Sequence, residues 1–364
     1  MTRIILGRGK ILAMTSGIAL AAEHDAAGRY DHAIDALAAA AQQGDVEATT
    51  ALALRLLIGD RAPYLPKEAA QFLLEAMQRG SAEAAVRLAT LAALGAHVRQ
   101  SWSDALGLLV IAAERGSDSA RGQLCALAAE PAPQAAPSSD YWRRLAQGVN
   151  SHDWTVAPSG VTLSPKPLVR SFPHLVSAPV CDWLIAQSRG RLERALVFDP
   201  ATGRDIADHT RTNSAASFHL GSADVVQVAL QCRMAAACGL PLHNFEGPAV
   251  LHYAVGEEIE NHFDFVDPAT PNYASVIEKQ GERIVTFLVY LNDDYDGGET
   301  DFPQLGVRHR GSRGEGLMFV NALPAGGPDL RMVHAGLPPV RGEKWIVSQF
   351  VRNRPSLNAR SAVY

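Results

Sequence analysis

This chain lacks most of the features that would narrow a function quickly. It has only four cysteines in 364 residues, Cys125, Cys181, Cys232 and Cys238. Their spacing matches neither a disulfide framework nor a thiolate zinc site, so free thiols in a reducing cytosol are expected. The formal charge of −5 supplies no basic face, which argues against nucleic acid or an anionic membrane as partner. No apolar run is long enough to span a membrane. Near the start, Arg3, Arg8 and Lys10 precede the short apolar stretch Ile11–Met14 in the manner of a signal peptide. Thr15, Ser16 and Gly17 interrupt that stretch, and a partial helix explains it equally well. A cytoplasmic protein is therefore expected. What the chain does have is bulk: 47% hydrophobic and 20% charged residues are ample for the cores of two domains.

The first third is periodic. Gly44, Gly80 and Gly116 follow one another at intervals of 36 residues, and their neighbours keep step. Ala33, Ala69 and Ala105 recur at that period, as do Leu37, Leu73 and Leu109, Ala48, Ala84 and Ala120, and Leu52, Leu88 and Leu124. Each unit reads as a helix, a glycine-centred turn and a second helix, with small alanines letting the two helices approach. Repetition at that period predicts an α-solenoid. The pattern Leu-x-x-Ala-x-x-x-Gly-x-x-x-Ala resembles Sel1-like repeats, relatives of the tetratricopeptide family, over residues 12–127. Mixed charges on these helices name no partner. Residues 128–160 follow as a linker, Pro/Ala/Ser-rich at Glu130–Ser139 and expected to be extended there, with a short helix over Tyr141–Val149.

Beyond the linker the informative residues are His262, Asp264, His334 and Lys344. A His-x-Asp pair alone is equally compatible with a surface histidine beside a turn aspartate. Read as a strand, Asn261–Phe265 puts His262 and Asp264 on one face through its period of two. A distant histidine then completes the two-histidine, one-carboxylate set that holds Fe(II) on one face and leaves positions open. Around His334 the sequence predicts a strand, a turn over Leu337–Gly342 and a returning strand from Lys344. A lysine among apolar neighbours needs a carboxylate partner.

Five ordered motifs carry a resemblance over residues 167–352: Leu251–Gly256, His262–Asp264, Gly281–Asp293, Gly297–Pro303, and His334–Gly336 with Gly342–Trp345. Together they resemble the catalytic domain of Fe(II)- and 2-oxoglutarate-dependent dioxygenases of the prolyl 4-hydroxylase type. The resemblance implies a double-stranded β-helix, or jelly roll, with flanking helices over 161–354, followed by a tail at 355–364. The fold class is thus α+β and multidomain. It further implies that His262, Asp264 and His334 bind iron, with no catalytic residue beyond the metal centre. Lys344 would pair with the distal carboxylate of 2-oxoglutarate, and Tyr253 and Thr286 would hydrogen-bond that co-substrate. Taken alone, Thr286 in its apolar strand reads as a core hydroxyl. His252, on the opposite face of its strand from Tyr253, is expected to lie outside the metal site. O2 is the second co-substrate and L-ascorbate would restore over-oxidised iron. The implied reaction couples decarboxylation of 2-oxoglutarate to succinate with hydroxylation of a C–H bond.

The chain departs from that family at two aromatic positions on the substrate side, where it has Ile259 and Phe350. Helices are expected at Ala178–Arg189 and Ser222–Gly239, and a loop at Val266–Gln280. Three functions remain in play. One is hydroxylation of a protein or peptide, most plausibly at proline, with the repeats recruiting the substrate. The others are hydroxylation of a free amino acid or other small molecule, and a scaffold whose oxygenase domain senses O2, iron or 2-oxoglutarate.

Overall fold

The computed structural model describes residues 16–131, 133, 138–199, 204–266, 268, 273–323 and 327–355. The apolar stretch near the start, half of the Pro/Ala-rich stretch Glu130–Ser139, Thr270–Asn272 and almost all of the tail lie outside the described residues. The chain divides into two compact units, Met1–Ala84 and Ala85–Tyr364.

In the first unit, helices α1 (Gly17–Ala26), α2 (Tyr30–Gln42), α3 (Val46–Ile58) and α4 (Pro66–Gln78) pack consecutively, and α5 (Ala82–Leu94) begins. Gly17 permits the tight fit of α1 on α2, since a β-carbon there would fall 2.3 Å from that of Ala40. The repeat period reappears as turn chemistry. Gly44 and Gly80 take φ values of 94° and 108°, which only glycine adopts without strain. Next to each, a polar side chain caps the following helix: Asp45 accepts from the amide of Ala48, and Ser81 from that of Ala84. Ala33, Leu37, Ala69 and Leu73 are buried.

The second unit repeats the device in α6 (Trp102–Glu114) and α7 (Asp118–Leu127), with Gly116 at φ 92° and Ser117 capping through the amide of Ala120. After α8 (Ser139–Gly148) the chain turns to strands. Strands β1 (Val161–Pro165) and β2 (Leu168–Phe172) lead to α9 (Ala178–Arg189). Next come β3 (Glu193–Arg194), β4 (Val197–Asp199), β5 (Arg204–Ile206), β6 (Ser214–Ser217) and α10 (Val225–Cys238). The run β7 (Ala249–Tyr253), β8 (Ile259–His262), α11 (Tyr273–Gln280) and β9 (Arg283–Tyr290) follows. The rest is β10 (Asp296–Gly297), β11 (Thr300–Phe302), β12 (Val307–His309), β13 (Gly316–Val320), β14 (His334–Gly336), β15 (Pro339–Arg341) and β16 (Lys344–Arg352).

Among the described residues there are two main antiparallel sheets, one of eight strands in the order β1-β2-β13-β9-β16-β7-β6-β3 and one of four in the order β12-β11-β14-β8, beside the two-stranded pairs β10-β15 and β4-β5. Strand alternation separates two cores. On the outer face of the large sheet, Phe287, Val289, Trp345 and Val347 pack with Leu184 of α9 and Leu230 and Met234 of α10. On its inner face, Leu251, Tyr253, Leu288, Tyr290 and Ile346 meet Phe302 and Met332. This jelly roll opens a cavity on the inner face.

The helices α7, α9 and α10 interlock. Trp183 of α9 lies where a β-carbon on Gly122 would sit, and its indole donates to the Asp224 carboxylate at 2.7 Å. Asp224 caps α10 through the amide of Gln227, while Gln123 of α7 accepts from the amide of Val225 at 3.0 Å. The last repeat helix therefore completes the helical layer over the sheet.

Three local expectations are corrected. The strand carrying His262 ends at that residue, and Asp264 arrives through a bend rather than on strand alternation. The bend lets its carboxylate reach Thr286 on the facing large sheet. The stretch read as a loop contains α11. The strand returning after His334 does not pair back in the same sheet: β14 lies in the small sheet and β16 in the large one.

Candidate metal centre and co-substrate cavity

His262 and His334 meet because β8 and β14 pair antiparallel with these two residues in register. Their ring centroids lie 4.3 Å apart. Each imidazole is anchored in the same way: Nδ1 of His262 lies 2.8 Å from the carbonyl of Glu260, and Nδ1 of His334 3.0 Å from that of Met332. A proton on each Nδ1 satisfies those carbonyls and leaves both Nε2 lone pairs free. Both Nε2 atoms lie 3.5 Å from Asp264, one from each carboxylate oxygen. One ligand atom from each of the three residues lies within 4.8 Å of the others, the only such group of three or more among the described residues.

The electrostatics suit a divalent cation. Burial pulls His334 down to about 4, so that imidazole is neutral at physiological pH. Burial alone would raise Asp264, but the two histidines and the Thr286 hydroxyl outweigh it and hold the carboxyl below its ordinary range. Two imidazole nitrogens and one carboxylate form the donor set of non-haem Fe(II).

The triad opens into a cavity of about 730 Å³ that Lys344, Tyr253, Ile259 and Phe350 also line. Lys344 begins β16 opposite Tyr253, fully buried, and its Nζ has no hydrogen-bond partner among the described residues. The faces of Tyr253 at 5.1 Å and Tyr290 at 5.9 Å attend it. Burial pulls the ammonium down to about 7, with Glu299 the charged neighbour opposing that shift. A buried cation facing a cavity without a hydrogen-bonded counter-ion is what an anionic ligand would complete. Gly336 keeps the space beside Tyr253 open, because a β-carbon there would fall 2.9 Å from Ile259 Cγ2 and 3.5 Å from the Tyr253 hydroxyl.

Thr286 lies in the inner-face row of β9, opposite Phe350. Its hydroxyl is engaged within the protein, donating to Asp264 Oδ2 at 2.8 Å and accepting from Asn321 Nδ2 at 2.9 Å. His252 sits on the outer face, its ring 4.3 Å from Trp345 and its Nε2 2.8 Å from Glu343. Arg211, Phe263, Phe265 and Arg283 line the cavity as well, although no role was expected of them. The guanidinium of Arg283 covers the Phe350 ring at 3.9 Å. Asn321 lies outside every motif, and no spacing rule would have found it.

Residues 248–352 match the family model of the 2OG-Fe(II) oxygenase superfamily. This segment is a prolyl 4-hydroxylase-like 2OG-Fe(II) oxygenase. The oxygenase is 31% identical over 214 residues to "Probable prolyl 4-hydroxylase 7" of Arabidopsis thaliana, a match over 53% of this chain and 66% of that one. It is 30% identical to the chicken (Gallus gallus) prolyl 4-hydroxylase subunit alpha-1, over 52% of this chain and 36% of the subunit. The chain thus spans between about a third and two thirds of the length of these two relatives. The 2OG complex of a viral collagen prolyl hydroxylase from Paramecium Bursaria Chlorella virus-1 is 26% identical. It aligns with 50% of this chain and 95% of its own, at a TM-score of 0.39. The family match and the triad imply Fe(II) and 2-oxoglutarate as cofactor and co-substrate. Among the described residues no helix is long and apolar enough to cross a membrane.

Proposed function

We propose that the protein hydroxylates a peptidyl side chain, most plausibly proline, at the expense of 2-oxoglutarate and O2. The observation that carries this reading is the single cavity lined by the His262–Asp264–His334 triad and the unpartnered cation of Lys344. His262, Asp264 and His334 would hold the iron, which when bound supplies the oxidising power for C–H hydroxylation. Lys344 would bind the distal carboxylate of the co-substrate, and Tyr253 would present its hydroxyl to the same molecule. The inner-face apolar side chains exclude water from the reacting groups. L-ascorbate is the expected reductant for keeping the metal ferrous.

Succinate formation from 2-oxoglutarate under air, with Fe(II) and ascorbate, tests the reading. Turnover that needs His334 and rises with a proline-rich peptide supports peptidyl hydroxylation. Turnover that needs His334 but ignores the peptide supports a free amino acid or another small molecule. That second reading is favoured by Ile259 and Phe350, which line the cavity where the resembled family has a tyrosine and a tryptophan. A partner bound equally by wild type and His262→Ala would indicate the scaffold or sensor role.

The helical repeats are assigned here to substrate recruitment. Because α7 is interlocked with α9 and α10, a deletion ending at residue 130 would remove one helix of the oxygenase's own helical layer. Deletion of residues 1–80 is the cleaner test. A peptide hydroxylase recruited through the repeats should lose affinity for a long substrate and keep its turnover of a short one.

A further inference from the structure

The hydroxyl of Thr286 is fully buried, and so is Asn321, at 1% exposure. A hydroxyl has one proton to give and two lone pairs to offer. Asn321 Nδ2 occupies a lone pair of Thr286 Oγ1 at 2.9 Å, so the single proton is directed to Asp264 Oδ2 at 2.8 Å. The arrangement fixes itself in both directions. With the Thr286 proton committed to Asp264, only the amide nitrogen of Asn321 can face that oxygen favourably. Asn321 is held in turn by its backbone, which donates to Ile284 and accepts from Asp329, both at 2.9 Å. This anchoring matters because Asp264 lies beyond the end of β8. Unlike the two histidines, whose Nδ1 atoms face carbonyls within their own chain segments, its carboxylate is steadied from the opposite sheet.

We propose that Asn321 and Thr286 form a positioning relay that orients the Asp264 carboxylate for the metal, so that Thr286 acts on the ligand rather than on the co-substrate. The proposal rests on the reading of the triad as the Fe(II) site. An outer partner of this kind does not touch the reacting atoms. It narrows the rotamers of the ligand before the metal arrives, and loss of such a partner typically weakens metal affinity by about 10–100-fold. Asn321 is one bond further out, and its loss frees the hydroxyl to turn without removing it. Its effect should therefore be smaller, roughly three- to tenfold.

Titrating the apo protein with Co(II), read by visible absorption, tests the relay without turnover. Thr286→Val keeps the shape and removes the proton, and should weaken Co(II) binding about 10–100-fold. Thr286→Ser restores the proton and should bring affinity back to within about threefold of wild type. Asn321→Ala should fall between them, and apo melting curves establish that each variant is folded. The KM for 2-oxoglutarate separates the competing role. Wild-type Co(II) affinity in Thr286→Val together with a raised KM would overturn the relay and make Thr286 a co-substrate contact. Wild-type Co(II) affinity in Asn321→Ala would remove Asn321 from it. If the wild-type protein itself binds no Co(II), the triad reading fails, and the proposal with it.

Discussion

The triad and Lys344 line one cavity but are finished in opposite ways. Around the triad, hydrogen-bonding capacity is committed in advance. The Nδ1 atoms face carbonyls, the carboxylate is fixed by Thr286, and the atoms left over are the lone pairs a metal requires. Lys344, by contrast, is buried with its Nζ unpartnered. Preorganised donors suit an ion that must be held in one geometry, whereas a bare cation suits a mobile anion that enters and leaves in each cycle. The contrast implies that the metal side is rigid and permanent and the lysine side is completed by its ligand.

The largest expected effect breaks the metal side. His334→Ala or Asp264→Ala should lower succinate formation by roughly a hundredfold or more and weaken Co(II) binding alongside. Activity within tenfold of wild type would sink the triad. Next, Lys344→Ala should raise the KM for 2-oxoglutarate by about 10–100-fold, the worth of one charge-assisted hydrogen bond. Co(II) affinity should be untouched, since the two sides act independently; a loss of both would show that they do not.

A pH measurement sharpens the same contrast. Above about pH 7 the free Lys344 is largely neutral, while a bound carboxylate would hold it protonated. Binding of 2-oxoglutarate then takes up a proton, and affinity falls as pH rises, by up to about tenfold per unit. Calorimetry at pH 8 in two buffers of different ionisation enthalpy would reveal that proton, and identical heats would refute the uptake. On a smaller scale, Gly336→Ala should destabilise the fold by about 1–3 kcal/mol through overpacking against Ile259, read as a lowered melting temperature. The smallest effect belongs to the repeats. Gly80→Ala, at a φ of 108°, should cost about 1 kcal/mol and leave succinate formation unchanged.

Legibility in the sequence followed how local each feature was. The repeats were readable because a helix, a glycine turn and a capping serine or aspartate are set by neighbours in the chain. The helix at Ala178–Arg189 was placed to the residue for the same reason. The three metal ligands were readable because their chemistry restricts which side chains serve. Less local features escaped. The bend that takes Asp264 off its strand and the assignment of β14 and β16 to different sheets both depend on packing across the fold.

By itself, then, the sequence pointed to helical repeats followed by a jelly roll, and to a His-Asp-His triad with a lysine expected to meet a dicarboxylate. Repeat period, strand alternation and ligand identity are properties of residue type and spacing. Only the tertiary structure decided what surrounds those residues. It left Lys344 without a partner, set Thr286 and Asn321 behind Asp264, and joined α7 to the helices that cover the sheet. Each of these depends on which atoms distant segments bring within about 3 Å of each other, and hydrogen-bond geometry is settled at that range.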